Sequence, residues 1–150
     1  MTERFETFTV LMNRISRNIR KLKNQEMAEY KLRSPHISCL YYLYKSEGLT
    51  ATDLCERCEE DKATISRSLD YLETNGYLIC RSKSAKRYNS PFVLTPKGAE
   101  AGEKITAKIE RILEEVSVGL TAEERAGFYR YLTVISDNID RVCGDLANNQ

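Results

Sequence analysis

No stretch of this 150-residue chain approaches the roughly 20 consecutive apolar residues that cross a bilayer, so the sequence predicts no membrane span. The opening residues, Met1-Thr2-Glu3-Arg4-Phe5-Glu6, have no basic patch leading into an apolar run. That argues against a secretory signal and for the cytoplasm. An excess of charge of one sign is also missing. The 23 Lys+Arg and 22 Asp+Glu leave a net charge of +1, which excludes a generally polycationic protein. There is no glycine-rich phosphate loop, no nucleophile elbow and no carboxylate pair that can be placed in a pocket, so nothing points to an enzyme. Histidine occurs once and cysteine five times, an odd number that suits reduced thiols better than a disulfide framework. Internal repeats and low-complexity segments are absent. What remains is 41% hydrophobic and 30% charged, a composition that can bury a core without a staple.

The balanced charge is unevenly spread. Residues 62–97 hold seven bases (Lys62, Arg67, Arg81, Lys83, Lys86, Arg87, Lys97) and two acids (Asp70, Glu73), for +5. Residues 99–150 hold six bases and ten acids, for −4. A concentrated basic segment is the footprint of a polyanion partner, although a solvated surface loop would read the same on charge alone.

Long helices are expected at both ends. Phe5, Phe8, Met12, Ile15, Ile19 and Leu22 are spaced 3, 4, 3, 4, 3, which aligns them in one helical stripe. Arg14, Arg17, Lys21 and Asn24 fall on the other face. Near the other end, Phe128, Leu132, Ile135, Ile139, Val142 and Leu146 repeat the pattern, behind a Thr121/Glu124 capping box. A further helix is expected from about Pro96 to Val118, with Ile105, Ile109, Ile112 and Val116 on one side and Gly119 as its stop. These stripes exceed what the middle of the chain can cover, which predicts a homodimer.

The middle reads differently. Ser34-Pro35 opens a helix that Glu47-Gly48 closes. Thr50 caps a short helix running to about Cys58, and Glu59-Glu60-Asp61 makes a tight turn. Asp61 then caps a helix from Lys62 to Asn75, stopped by Asn75-Gly76. Residues 77–81 and 92–94 read as strands on either side of a basic loop. Helix, short helix, turn, helix, basic hairpin is the order of a winged helix-turn-helix. In the helix from Lys62, Ile65, Leu69 and Leu72 face the core, while Ala63, Thr64, Ser66, Arg67, Asp70 and Tyr71 point away. Small residues, hydroxyls and one arginine suit a helix entering the major groove. Lys62 together with Lys83, Lys86 and Arg87 of the hairpin suits phosphates or a minor groove.

At these residues the chain resembles the MarR (multiple-antibiotic-resistance regulator) family of transcriptional regulators. The resemblance rests on Leu32-Arg33-Ser34-Pro35-His36, Ala51-Thr52-Asp53-Leu54, the run from Asp61 to Glu73, Asn75-Gly76-Tyr77-Leu78 and Leu94-Thr95-Pro96-Lys97-Gly98. It implies a mainly α fold with a small β-hairpin wing, in which residues 31–98 form the winged helix-turn-helix lobe and residues 1–30 and 99–150 the dimerisation helices. It also implies a homodimer on double-stranded DNA, with a pseudo-palindromic operator and repression relieved by a small molecule or an oxidant. The wing departs from the family pattern, because Lys86, Arg87 and Tyr88 stand where an Asp-x-Arg is usual. The rival expectation is a dimeric protein-interaction module on the same fold.

In the family, ligands bind between the dimerisation helices and the winged lobe. By that placement Arg14, Arg17, Tyr30, His36, Cys39 and Tyr42 are the candidate ligand-binding residues, suited to a lipophilic carboxylate or phenol. Cys55 and Cys58 form a Cys-x-x-Cys, but within a helix and without a second pair, so no metal or other cofactor is expected. Buried cysteine is most often a small hydrophobe, the expectation for Cys39. Some family members sense peroxide through a cysteine in the first helix. This chain has none before Cys39, so any thiol sensor here would be another one.

Overall fold

A computed structural model of the chain describes residues 2–81 and 89–149, apart from the side chains of Thr2 and Phe5. Helix α1 spans Thr2–Glu26, and a single 3-10 turn, Ala28–Tyr30, leads to α2 (Ser34–Lys45). Helices α3 (Ala51–Cys58) and α4 (Lys62–Thr74) follow, then strands β1 (Leu78–Cys80) and β2 (Phe92–Leu94). Helices α5 (Pro96–Val116) and α6 (Ala122–Asn148) complete the chain. This is the mainly α fold with a small antiparallel hairpin that the sequence predicts. The hairpin residues Lys83, Lys86 and Arg87, with Tyr88, lie outside the described residues.

Met1–Ile109 form one compact unit. Its core gathers Ile37 and Leu40 of α2, Leu54 of α3, Ile65, Leu69 and Leu72 of α4, Leu78, Phe92 and Ile105. All are at most 2% exposed, and burying each side chain contributes roughly 1.5–3 kcal/mol. The strands pair in the register Leu78↔Leu94, Ile79↔Val93 and Cys80↔Phe92. The Phe92 amide also donates to the Leu49 carbonyl (2.9 Å), which ties the hairpin to the segment before α3.

β1 begins one residue later than the sequence predicts, because Tyr77 belongs to the end of α4. The Gly76 amide donates to the Glu73 carbonyl and the Tyr77 amide to the Leu72 carbonyl, the paired bonds of a Schellman cap, with Gly76 at φ 78°. The start of α5 packs tightly on this cap. Thr95 Oγ1 donates to the Gly76 carbonyl (2.6 Å) and accepts from the Gly98 amide (3.1 Å). A Cβ at Gly98 would stand 1.8 Å from the Tyr77 carbonyl oxygen, so only glycine fits there. Farther along α5, Lys108 donates to the Glu26 carbonyl at the end of α1 (2.7 Å) and pairs with the Glu26 and Glu29 carboxylates.

Glu110–Gln150 form the second unit. Helix α5 ends at Val116, two residues short of the expected Val118, as Ser117, Val118 and Leu120 close a turn around Gly119. Thr121 caps α6 through the expected box with Glu124, and Arg125 pairs with Glu114 (3.1 Å). The α6 stripe is largely open in the single chain, with Phe128 44% and Leu146 62% exposed.

Candidate nucleic-acid interface

Helices α3 and α4 are joined by a turn that local chemistry builds. Thr50 and Asp53 exchange hydrogen bonds at the start of α3 (2.8 and 3.2 Å). Glu59 takes a left-handed conformation (φ 54°) to end it. Asp61 then accepts from the Thr64 amide (2.7 Å), which fixes the first turn of α4. That bond, rather than any neighbouring cation, is the main reason the Asp61 carboxyl lies below its usual range.

On α4, Lys62, Ala63, Ser66 and Arg67 are exposed and Thr64 is half-buried. The Arg67 guanidinium donates to Thr64 Oγ1 (3.3 Å), so these two candidate contacts lie together. Ser68, absent from the sequence expectation, is buried and donates to the Thr64 carbonyl (2.7 Å). The candidate residues of α4 therefore share the face opposite Ile65, Leu69 and Leu72.

Tyr71 departs from the expectation. The helical wheel puts it with the outward face, but the structure turns it back onto α2. Its ring stacks on His36 with centroids 4.3 Å apart and planes 11° from parallel. Its hydroxyl donates to the Lys31 carbonyl (3.0 Å). His36 in turn accepts from the Arg33 amide through Nδ1 (3.1 Å), at the start of α2. Burial, aided by Arg33, holds the His36 imidazole below its usual range. The far end of α4 is thus fastened to the entry of α2.

The six ligand candidates do not converge. Arg14 and Arg17 are exposed on α1, Tyr30 receives a long hydrogen bond from Lys104 (3.5 Å), and His36 is stacked on Tyr71. Cys39 is fully buried. Of the six, Tyr42 lines a cleft of about 240 Å³, beside Lys23, Tyr41, Arg57, Cys58 and Ile109. The sequence reading missed these neighbours. Lys23 donates to Ser38 Oγ (3.0 Å), and burial holds its ammonium below the usual range. A lysine next to Leu22 on the apolar flank of α1 was the available signal. Among the described residues no cluster of three or more His, Cys, Asp or Glu is arranged to hold a metal ion.

Comparison with known proteins agrees with this geometry. A family model described as MarR family matches residues 30–87. The HTH-type transcriptional regulator YdgJ of Bacillus subtilis is 27% identical over 106 residues, which cover 71% of this chain and 65% of YdgJ. The matched segment therefore spans less than two thirds of that relative. A MarR-family regulator from Silicibacter pomeroyi is 26% identical in its crystal structure, with a TM-score of 0.75 over 86% of this chain and 87% of that one. The fold also matches MepR of S. aureus, solved in complex with DNA, at 21% identity and a TM-score of 0.77, covering 88% and 97% of the two chains.

Proposed function

We propose that this chain, which is similar to MarR-family transcriptional regulators, is itself such a regulator and acts as a homodimeric repressor on a pseudo-palindromic operator. The observation that carries this reading is the outward face of α4, where Ala63, Ser66 and Arg67 are exposed behind the Asp61 cap. In a dimer, two such helices would enter successive major grooves about 34–36 Å apart. Arg67, Ser66, Thr64 and Ala63 meet bases and adjacent backbone, and Lys62 meets phosphate. Lys83, Lys86 and Arg87 of the wing supply further phosphate or minor-groove contacts. The long apolar stripe of α6, open in the single chain, supports dimerisation through the terminal helices.

The cleft beside Tyr42 is the place for an effector. Tyr41, Tyr42 and Ile109 offer an apolar wall, and Lys23 and Arg57 offer positive charge. A small aromatic or lipophilic carboxylate or phenol fits that chemistry. No helix among the described residues is long and apolar enough to cross a membrane. The proposed site of action is the cytoplasm, where the DNA is.

Fluorescence anisotropy on the DNA just upstream of the protein's own gene, against scrambled DNA over a salt series, tests the reading. Selective binding that weakens steeply with salt is expected. Absence of any salt-dependent DNA affinity would overturn it in favour of a protein-interaction scaffold.

A further inference from the structure

Basic charge has a second concentration in this chain, outside the helix-turn-helix and the wing. Residues 14–33 hold seven bases and two acids, for +5, the same excess as residues 62–97. Both acids, Glu26 and Glu29, are drawn to Lys108 of α5 (3.7 and 3.9 Å). Among the bases, Lys23 donates to Ser38 and lines the cleft beside Tyr42. The other six are exposed and enter no ion pair among the described residues. A local excess of exposed, uncompensated cations marks a surface for a polyanion.

This charge has a shape. Arg14, Arg17, Lys21 and Asn24 recur at intervals of three, four and three, which makes one stripe along α1. The stripe runs into a second cleft, of about 480 Å³, where α1 gives way to α2. Asn24, Ala28, Lys31, Leu32 and Arg33 line it. Its frame is fixed by the backbone. Asn24 Oδ1 accepts from the Ser34 amide (2.7 Å), and the Lys31 amide donates to the Ala28 carbonyl (3.0 Å). Lys31 takes the left-handed conformation (φ 57°). Leu32 is anchored in the core, while Lys31 and Arg33 on either side of it are exposed.

The same loop is fastened to α4. Tyr71 donates its hydroxyl to the Lys31 carbonyl (3.0 Å) and stacks its ring on His36. Tyr71 stands one helical turn beyond Arg67, about 6 Å along the axis on the same side of α4. The outward face of α4 therefore continues, through Tyr71, to the Lys31/Arg33 loop. A small anion would need enclosed donors to hold it, and these cations are exposed. Exposed cations gain most from a polyanion, by releasing its condensed counterions.

We propose that Lys31 and Arg33 form a further DNA-backbone contact, holding phosphates that flank the groove entered by α4, with Arg17 and Lys21 of the α1 stripe drawing the strand toward them. The inference rests on the DNA binding proposed above. Such a contact carries no sequence information. It fixes the orientation of α4 on the duplex, because Tyr71 joins the loop to that helix.

The test is anisotropy of the full chain over a salt series, on the upstream and scrambled duplexes. Each phosphate contact contributes about 0.9 to the slope of log affinity against log salt. Lys31→Gln and Arg33→Gln should each lower the slope by about 0.9 per protomer, and weaken both duplexes alike, by roughly fivefold per lost contact at about 0.15 M salt. Lys31→Arg and Arg33→Lys, which keep the charge, should keep the slope. Lys45→Gln removes the same charge from the exposed far end of α2 and should leave the slope unchanged. An unchanged slope in both Lys31→Gln and Arg33→Gln, or an equal drop in Lys45→Gln, would overturn the contact. A loss confined to the upstream duplex would overturn its assignment to the backbone. An unaltered chain that binds neither duplex would overturn the proposed function, and the contact with it.

Discussion

The attachment of α4 to α2 through Tyr71 makes a quantitative prediction. Tyr71→Phe removes one hydrogen bond, to the Lys31 carbonyl at an exposed position (3.0 Å). The lower end of the usual range applies there, about 0.5 kcal/mol. Tyr71→Ala also removes the stack on His36, worth about 1 kcal/mol for an aromatic pair. Loss of the apolar contact of a half-buried ring costs about 1 kcal/mol more. Alanine returns about 0.5 kcal/mol through its higher helix propensity. The net cost of Tyr71→Ala is therefore about 2 kcal/mol, against about 0.5 for Tyr71→Phe. At roughly 2–4 °C per kcal/mol, Tyr71→Ala should lower Tm by about 4–8 °C and Tyr71→Phe by about 1–2 °C. Thermal unfolding at one fixed protein concentration measures both, since dimerisation adds a concentration term. A double-mutant cycle with His36→Ala should return a coupling of about 0.5–1.5 kcal/mol. Additivity within about 0.3 kcal/mol, or equal losses in Tyr71→Phe and Tyr71→Ala, would refute the stacked attachment.

Three further outcomes are expected. Arg67→Ala should cost roughly 1–3 kcal/mol on the operator and relax sequence choice at one position, whereas Lys83→Ala should weaken all DNA about equally and reduce the salt slope; anisotropy with matched and scrambled duplexes reads both. Gly98→Ala should destabilise by at least about 2 kcal/mol in denaturant unfolding, because the new Cβ collides with the Tyr77 carbonyl 1.8 Å away, and a neutral result would contradict the packing there. His36 is held below its usual value of 6.5, chiefly by burial, so it resists protonation in the folded state. The unfolded chain then binds the extra proton, and the contribution to stability is present above about 6.5 and lost as pH falls through the folded value. As this is the only histidine in the chain, its ring proton can be followed directly by NMR; a midpoint at 6.5 would abolish that dependence and one above 6.5 would reverse its sign.

The elements legible in the sequence are those set by neighbours along the chain. The Thr50/Asp53 and Thr121/Glu124 boxes, the Asp61 cap and the Gly76 stop each close within a few residues, so their spacing alone predicts them. The 3–4 stripes of α1 and α6 and the inward arc of α4 follow equally from helical period. By itself the sequence determined the order of elements, the mainly α fold with its small hairpin, and the face of α4 that Ala63, Ser66 and Arg67 share. Only tertiary structure decided what lay between distant segments. Tyr71 meets His36 across 35 positions, and Lys23 reaches Ser38 from another helix. A helical wheel assigns a residue to a face but says nothing of which element lies opposite. A half-buried tyrosine or lysine on a boundary arc is therefore placed only when the neighbouring helix supplies its partner.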